Sequence, residues 1–122
     1  MEQLLEQMGA KVLARHGETV SLYLCRYNGL PFNVKVSAAG QADIWTYSRR
    51  VVRSRSRERI LDLLGAFERC HPLFRAYINE DGLIIISLPF ALPEGAGAPA
   101  RAVRQHTDLF LEALDCGRSA SV

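Results

Sequence analysis

The residues best suited to bind a charged partner lie in one arginine-rich segment. From Ser48 to Arg59 the sequence reads SRRVVRSRSRER, which holds six arginines and one glutamate. The net charge of this segment is therefore +5, in a chain whose total is +2. Guanidinium groups form paired hydrogen bonds with carboxylates and phosphates. The candidate contacts for an anionic partner are Arg49, Arg50, Arg53, Arg55 and Arg57.

A structural explanation of the same arginines stays open. A helix is predicted to begin at Ser54 or Ser56, and cations near its first turn oppose the helix dipole. A local rule broken in this way often marks a functional segment. The arginines could equally be solvated, or paired with Glu58, Asp62 or the Glu80-Asp81 loop, because surface charge runs commonly have no specific partner.

Catalytic, metal and cofactor chemistry find little support in the sequence. Cys70 and His71 are adjacent on a predicted helix, so their side chains diverge by about 100° and cannot act as a nucleophile and its base. The stretch Gly95–Ala100 matches a dinucleotide-binding pattern, but it precedes the last predicted helix, and that pattern requires a further strand bearing an acid. No pair of cysteines has the spacing of a zinc site. We therefore predict no catalytic residue, no metal site and no cofactor.

The elements that must position the arginine segment belong to one α+β domain. The chain has 122 residues, of which 48% are hydrophobic, enough for a single core. We expect the domain to span residues 1–116, with a flexible C-terminal tail over 117–122. Three cysteines without CxxC spacing, and no apolar run long enough for a membrane span, favour a cytoplasmic protein that does not enter a membrane.

The hydrophobic periodicity predicts the order α-β-β-β(-β)-α-β-β-α, an antiparallel sheet packed by helices. A short helix over 2–9 precedes strands over 11–15, 19–27 and a return strand after Asn28-Gly29, the strongest short hairpin signal. A further strand covers 43–52 and a long helix runs to Cys70, where His71-Pro72 ends it. Strands over 73–78 and 83–88 form a second hairpin, and a last helix begins near Pro99.

Aromatic residues on the predicted sheet raise the possibility of nucleic-acid binding. Trp45 and Tyr47 share one face of the strand that leads into the arginine segment. Aromatic side chains on a sheet beside cations can stack the bases of single-stranded nucleic acids. Such residues are more often half-buried sheet positions. A nucleic-acid-binding protein using Arg49–Arg59 is therefore our second choice after a protein-binding module.

The element order and several segments resemble the type III secretion chaperone-like fold, in particular the YbjN family of bacterial regulators of sensory transduction. The resemblance is carried by the helix ILDLLGAFERCH, residues 60–71, and by the strand and loop ISLPFALPEG, residues 86–95. The hairpin LFRAYINEDGLIIISLPFAL, residues 73–92, and the closing helix from Ala100 to Asp115 also carry it.

The resemblance implies a non-enzymatic, usually homodimeric protein whose partner is another protein. By this analogy Leu61, Leu64 and Phe67 are candidate dimer or client contacts. An effector chaperone of type III secretion is an alternative, although such chaperones are typically acidic and this chain has a pI near 8.6. The function expected from the sequence is that of a chaperone-like adaptor or regulator.

Overall fold

The computed structural model describes residues 1–16, 20–37, 39–48 and 50–120. Three helices and six strands occur in these ranges. Their bounds are α1 Glu2–Gln7, β1 Lys11–His16, β2 Val20–Tyr27, β3 Leu30–Ser37, β4 Gln41–Tyr47, α2 Arg57–Cys70, β5 Arg75–Ile78, β6 Ile84–Ala91 and α3 Ala98–Ala120. A single 3-10 turn, Ser54–Ser56, leads into α2. The α+β class and the element order are confirmed, including the fourth strand before α2.

All six strands join one antiparallel sheet in the order β1-β2-β3-β4-β6-β5. The Asn28-Gly29 turn confirms the predicted hairpin, because both residues have positive φ, 49° and 79°. These angles suit the tight turns that match the twist of the flanking strands. Tyr27 and Leu30 pair directly across the turn, which fixes the register of β2 against β3.

Helices α1 and α3 cover one face of this sheet, and the hydrophobic core lies between these helices and the sheet. Phe110 of α3 is fully buried and its ring lies 6.1 Å from those of both Phe32 and Phe74. The alternation in β2 left open which of its faces would be buried. Tyr23 and Cys25 face the core, although the opposite face of β2 carries Leu22 and Leu24.

Strand β6 is interior to the sheet, as its apolar sequence indicates, and it runs beyond the predicted Leu88. Pro89 lies within it, opposite Asp43 of β4. Pairing with β5 ends at Ser87, so the missing N–H of Pro89 faces a side of the strand without a neighbour. The strand therefore continues to Ala91 without losing a ladder hydrogen bond.

Helix α2 packs along the outer edge of β5 and leaves part of its apolar stripe exposed. Leu64 is buried, and the Phe67 ring packs edge-on against Phe74 at 5.5 Å. Leu61 and Leu63 flank this contact and remain 45% and 60% exposed. Among the three candidate dimer contacts, only Leu61 is therefore exposed. Ser56 occupies the N-cap position of α2, but its side chain makes no capping hydrogen bond.

Helix α3 begins one residue before Pro99 and extends to Ala120. Residues 117–120 of the expected tail thus continue the helix, while 121 and 122 lie outside the described residues. The apolar spacing of α3 predicts one buried stripe of Val103, Thr107, Phe110, Leu111 and Leu114, and all of these are buried except Leu111, which is half-buried. No helix in the described ranges combines the length and the apolar character needed to cross a membrane.

Candidate binding face

The sheet face opposite the helices is the largest candidate site, and no helix of the described residues covers it. We call it the open face. Strand pairing places the following described residues on it: Lys11, Leu22, Leu24, Arg26, Lys35, Asp43, Trp45, Tyr47, Arg75, Tyr77, Ile85 and Ser87. This set mixes aliphatic, aromatic and cationic side chains, a composition found on binding surfaces.

Aromatic side chains line one end of the open face. Tyr47 on β4 pairs with Ile85 on β6, which in turn pairs with Tyr77 on β5. The two tyrosines are 53% and 46% exposed, and Ile85 between them is half-buried. Trp45 lies in the next row, opposite Ser87. Exposed aromatic groups around an aliphatic residue form a surface whose burial by another molecule is energetically favourable.

A carboxylate lies at the centre of the open face. Asp43 on β4 is half-buried, directly opposite Lys35 on β3, and its Oδ1 accepts a hydrogen bond of 2.7 Å from the Ser87 hydroxyl. Burial raises the pKa of Asp43, and this effect outweighs the Ser87 hydrogen bond and the nearby cations Lys35 and Arg75, which act in the opposite direction.

Two hollows adjoin Asp43. One of about 330 Å³ extends toward Val20 and Gln41, and the other, of about 280 Å³, extends toward Trp45 and Tyr77. Asp43 and Lys35 line both of them. The face therefore offers recesses that can accept side chains on both sides of the buried carboxylate.

The arginine segment lies at the same end of the sheet as Tyr47 and Tyr77. Strand β4 ends at Tyr47, earlier than the predicted Val52, and the chain then follows the tip of the β5–β6 hairpin. Ser48 exchanges hydrogen bonds with the backbone of Ile84, and the Val52 N–H donates to the Gly82 carbonyl at 2.8 Å. These contacts fix the start of the segment beside the open face.

Four of the five candidate arginines are described, and their side chains are exposed to solvent. Arg50, Arg53, Arg55 and Arg57 are exposed, whereas Arg49 lies outside the described residues. No ion pair joins any of these four arginines to an acid within the described part of the chain. Pairing with Glu58, Asp62 or the Glu80-Asp81 turn, one of the structural explanations, is therefore not observed.

The other potentially reactive side chains of the described residues do not come together in one site. Cys70 is exposed, while the His71 ring packs against Phe67 and Phe74. Burial raises the pKa of the Cys25 thiol to about 12, so this cysteine is unreactive at neutral pH. Among the described residues no cluster of three or more His, Cys, Asp or Glu could hold a metal ion.

Sequence reasoning found the arginine segment and the Trp45–Tyr47 pair but missed the other cations and the central carboxylate. Arg26, Lys35, Asp43 and Arg75 come from four different strands, and only the register places them on one face. The available signal was the single polar residue interrupting apolar positions, such as Lys35 between Val34 and Val36.

No family model, curated protein or solved structure matches this chain.

Proposed function

We propose that the protein is a non-catalytic protein-interaction module, an adaptor or regulator that holds a segment of another protein on its open face. The observation that carries this proposal is the uncovered, partly apolar face of a six-stranded sheet, with Tyr47 and Tyr77 about half exposed. Sheets in two-layer α+β domains can leave one face to solvent, but that face is then usually polar. Here it carries Leu22, Leu24 and Ile85.

The size of the face also favours a macromolecular partner over a small ligand. Both hollows beside Asp43 are partly open to solvent, and they lie on the same surface. Small-molecule sites are instead enclosed clefts that bury most of the ligand. A polypeptide segment could fill both hollows with two side chains and cover the aromatic end with a third.

Selection from a phage-displayed random peptide library tests the proposal. We expect the immobilised protein to select peptides, and each selected peptide to change the emission of Trp45, the only tryptophan of the chain, which lies on the open face. The double substitution Tyr47→Ala and Tyr77→Ala should lower the affinity for these peptides by about tenfold or more. Truncating a well-placed aromatic side chain at an interface typically costs over 1 kcal/mol.

The matched control is Leu63→Ala with Leu109→Ala, which removes exposed apolar area from the helices. It should leave peptide affinity unchanged. Failure to select any peptide, or selected peptides that lose affinity only with the control variant, would overturn the proposal. Tight binding of single-stranded DNA in place of peptides would instead favour the nucleic-acid alternative, for which Tyr47 and Tyr77 beside the arginine segment are the supporting observation.

A further inference from the structure

The described charges of the open face are nearly all positive. Lys11, Arg26, Lys35 and Arg75 lie on four strands of the face and are exposed. Asp43 is the single described carboxylate among them. None of the four cations forms an ion pair within the described residues. With four cations and one carboxylate among its described residues, the face therefore carries a net positive charge as well as apolar surface.

Two of these cations, Lys11 and Arg26, lie at the end of the sheet where the arginine segment begins, whereas Lys35 and Arg75 lie farther along their strands. Lys11 pairs with Arg26, and Arg26 pairs with Pro31, whose carbonyl accepts a hydrogen bond from Thr46, next to Tyr47. Lys11 and Arg26, which we call the cationic row, thus begin a line of paired residues that runs from the edge strand β1 to the point where β4 leaves the sheet. Arg50 and Arg53 follow directly along the chain.

From this placement we infer that the segment held on the open face is an acidic polypeptide, with its apolar side chains over Trp45 and Ile85 and its carboxylates over the cationic row and the arginine segment. This inference rests on the proposed function and names the chemistry of its partner. Complementary charge fixes the orientation of a partner and speeds its association. The positive charge of the face also disfavours the binding of basic partners, because like charges repel.

The central carboxylate argues for a polypeptide and against a nucleic acid. A nucleic-acid strand carries a phosphate at every nucleotide, so a strand crossing the face would bring phosphate close to Asp43. A polypeptide can place an apolar or neutral residue at that point and its acids elsewhere. The half-buried Leu22 and Leu24 likewise match aliphatic side chains better than bases.

The peptides selected from the library provide the test. We expect them to be enriched in Asp and Glu together with Leu or Phe. Synthetic analogues in which Asn and Gln replace every acid should bind on the order of tenfold more weakly, with a smaller difference at high salt because exposed charges are screened.

Charge reversal locates the contact. Arg26→Glu with Arg75→Glu should lower the affinity for the acidic peptides by a similar factor and leave the affinity for their neutral analogues unchanged. The control Arg69→Glu with Arg104→Glu makes the same change in net charge on exposed positions of α2 and α3, and it should have little effect.

The experiment distinguishes failure of this inference from failure of the proposed function. If peptides are selected but carry no excess of acids, or if the neutral analogues bind equally well, this inference is wrong while the proposed function stands. If no peptide is selected, the proposed function fails with it. Single-stranded DNA that binds more tightly than any selected peptide, and is lost on Arg26→Glu with Arg75→Glu, would assign the face to nucleic acid and overturn both.

Discussion

Asp43 is a carboxylate on the open face whose pKa is shifted in opposite directions by its burial and by its polar and charged neighbours. Its carboxylate is half-buried among strands, which disfavours the charged form, and the hydrogen bond from Ser87 and the charges of Lys35 and Arg75 only partly compensate. The pKa of Asp43 in the folded protein is therefore raised above 3.8. A half-buried acid that resists ionisation makes the stability of the fold depend on pH.

We predict that acidification stabilises the wild-type protein relative to Asp43→Asn. Because the pKa is higher in the folded state, folding takes up a proton, and the stability linked to Asp43 is full below the unfolded pKa near 3.8. That stability is lost as the pH rises toward the folded pKa. Urea unfolding of both proteins at a series of pH values measures the difference in the free energy of unfolding. The substitution Asp81→Asn, on an exposed acid, is the control. A difference that grows with rising pH in favour of the wild type would contradict the prediction.

At the scale of elements, α2 protects an edge of the sheet. Within the described part of the chain, β5 is an edge strand that pairs with β6, so its outer backbone groups would otherwise be free to pair with another chain. The Glu68 carboxylate of α2 accepts the Ala76 N–H at 2.8 Å, and Phe67 packs against Phe74 at the start of the strand. A side chain and a helix thus take the place of a seventh strand.

Removing this carboxylate should loosen β5 and leave the rest of the sheet intact. Glu68→Ala leaves the Ala76 N–H without its acceptor, and we expect a loss of about 1 kcal/mol in the free energy of unfolding. In the Glu68→Ala variant the Ala76 amide hydrogen should exchange faster than in the wild type, while exchange in the rest of the sheet stays the same. This result would show that the effect is local. Glu68→Gln keeps an oxygen acceptor and should restore most of the protection. Equal exchange rates at Ala76 in all three proteins would show that Glu68 does not protect the edge.

The same elements show how far the sequence could be used for prediction. The helices, the hairpin at Asn28-Gly29 and the order of the elements along the chain depend on local signals, namely hydrophobic period and turn residues, and the sequence predicts them with bounds that differ by up to about five residues. The place of α2 along an edge, the continuation of β6 through Pro89 and the grouping of Arg26, Lys35 and Asp43 depend on long-range pairing. No local pattern contains that information, because a shift of one residue in register moves every side chain to the other face.

The whole molecule depends on one core that joins its two halves. Phe110 of α3 contacts Phe32 from the N-terminal strands and stacks on Phe74 from the C-terminal hairpin, which in turn contacts Phe67 of α2. These rings connect α2, α3 and the sheet through a single buried cluster. A domain of this size with one core is expected to unfold in one cooperative step.

Phe110→Ala should therefore destabilise every element together. Replacing a fully buried phenylalanine by alanine typically costs about 3–5 kcal/mol, a large part of the roughly 5–15 kcal/mol by which small domains are stable. Urea unfolding followed by Trp45 fluorescence reports the open face, and far-UV circular dichroism reports the helices. Both transitions should shift to lower urea by the same amount. Leu109→Ala, on the neighbouring and partly exposed residue, should shift them by about 1 kcal/mol or less. A Trp45 transition that stays in place while the helical signal moves would show that the sheet is stable without α3, and that the open face belongs to an independent unit.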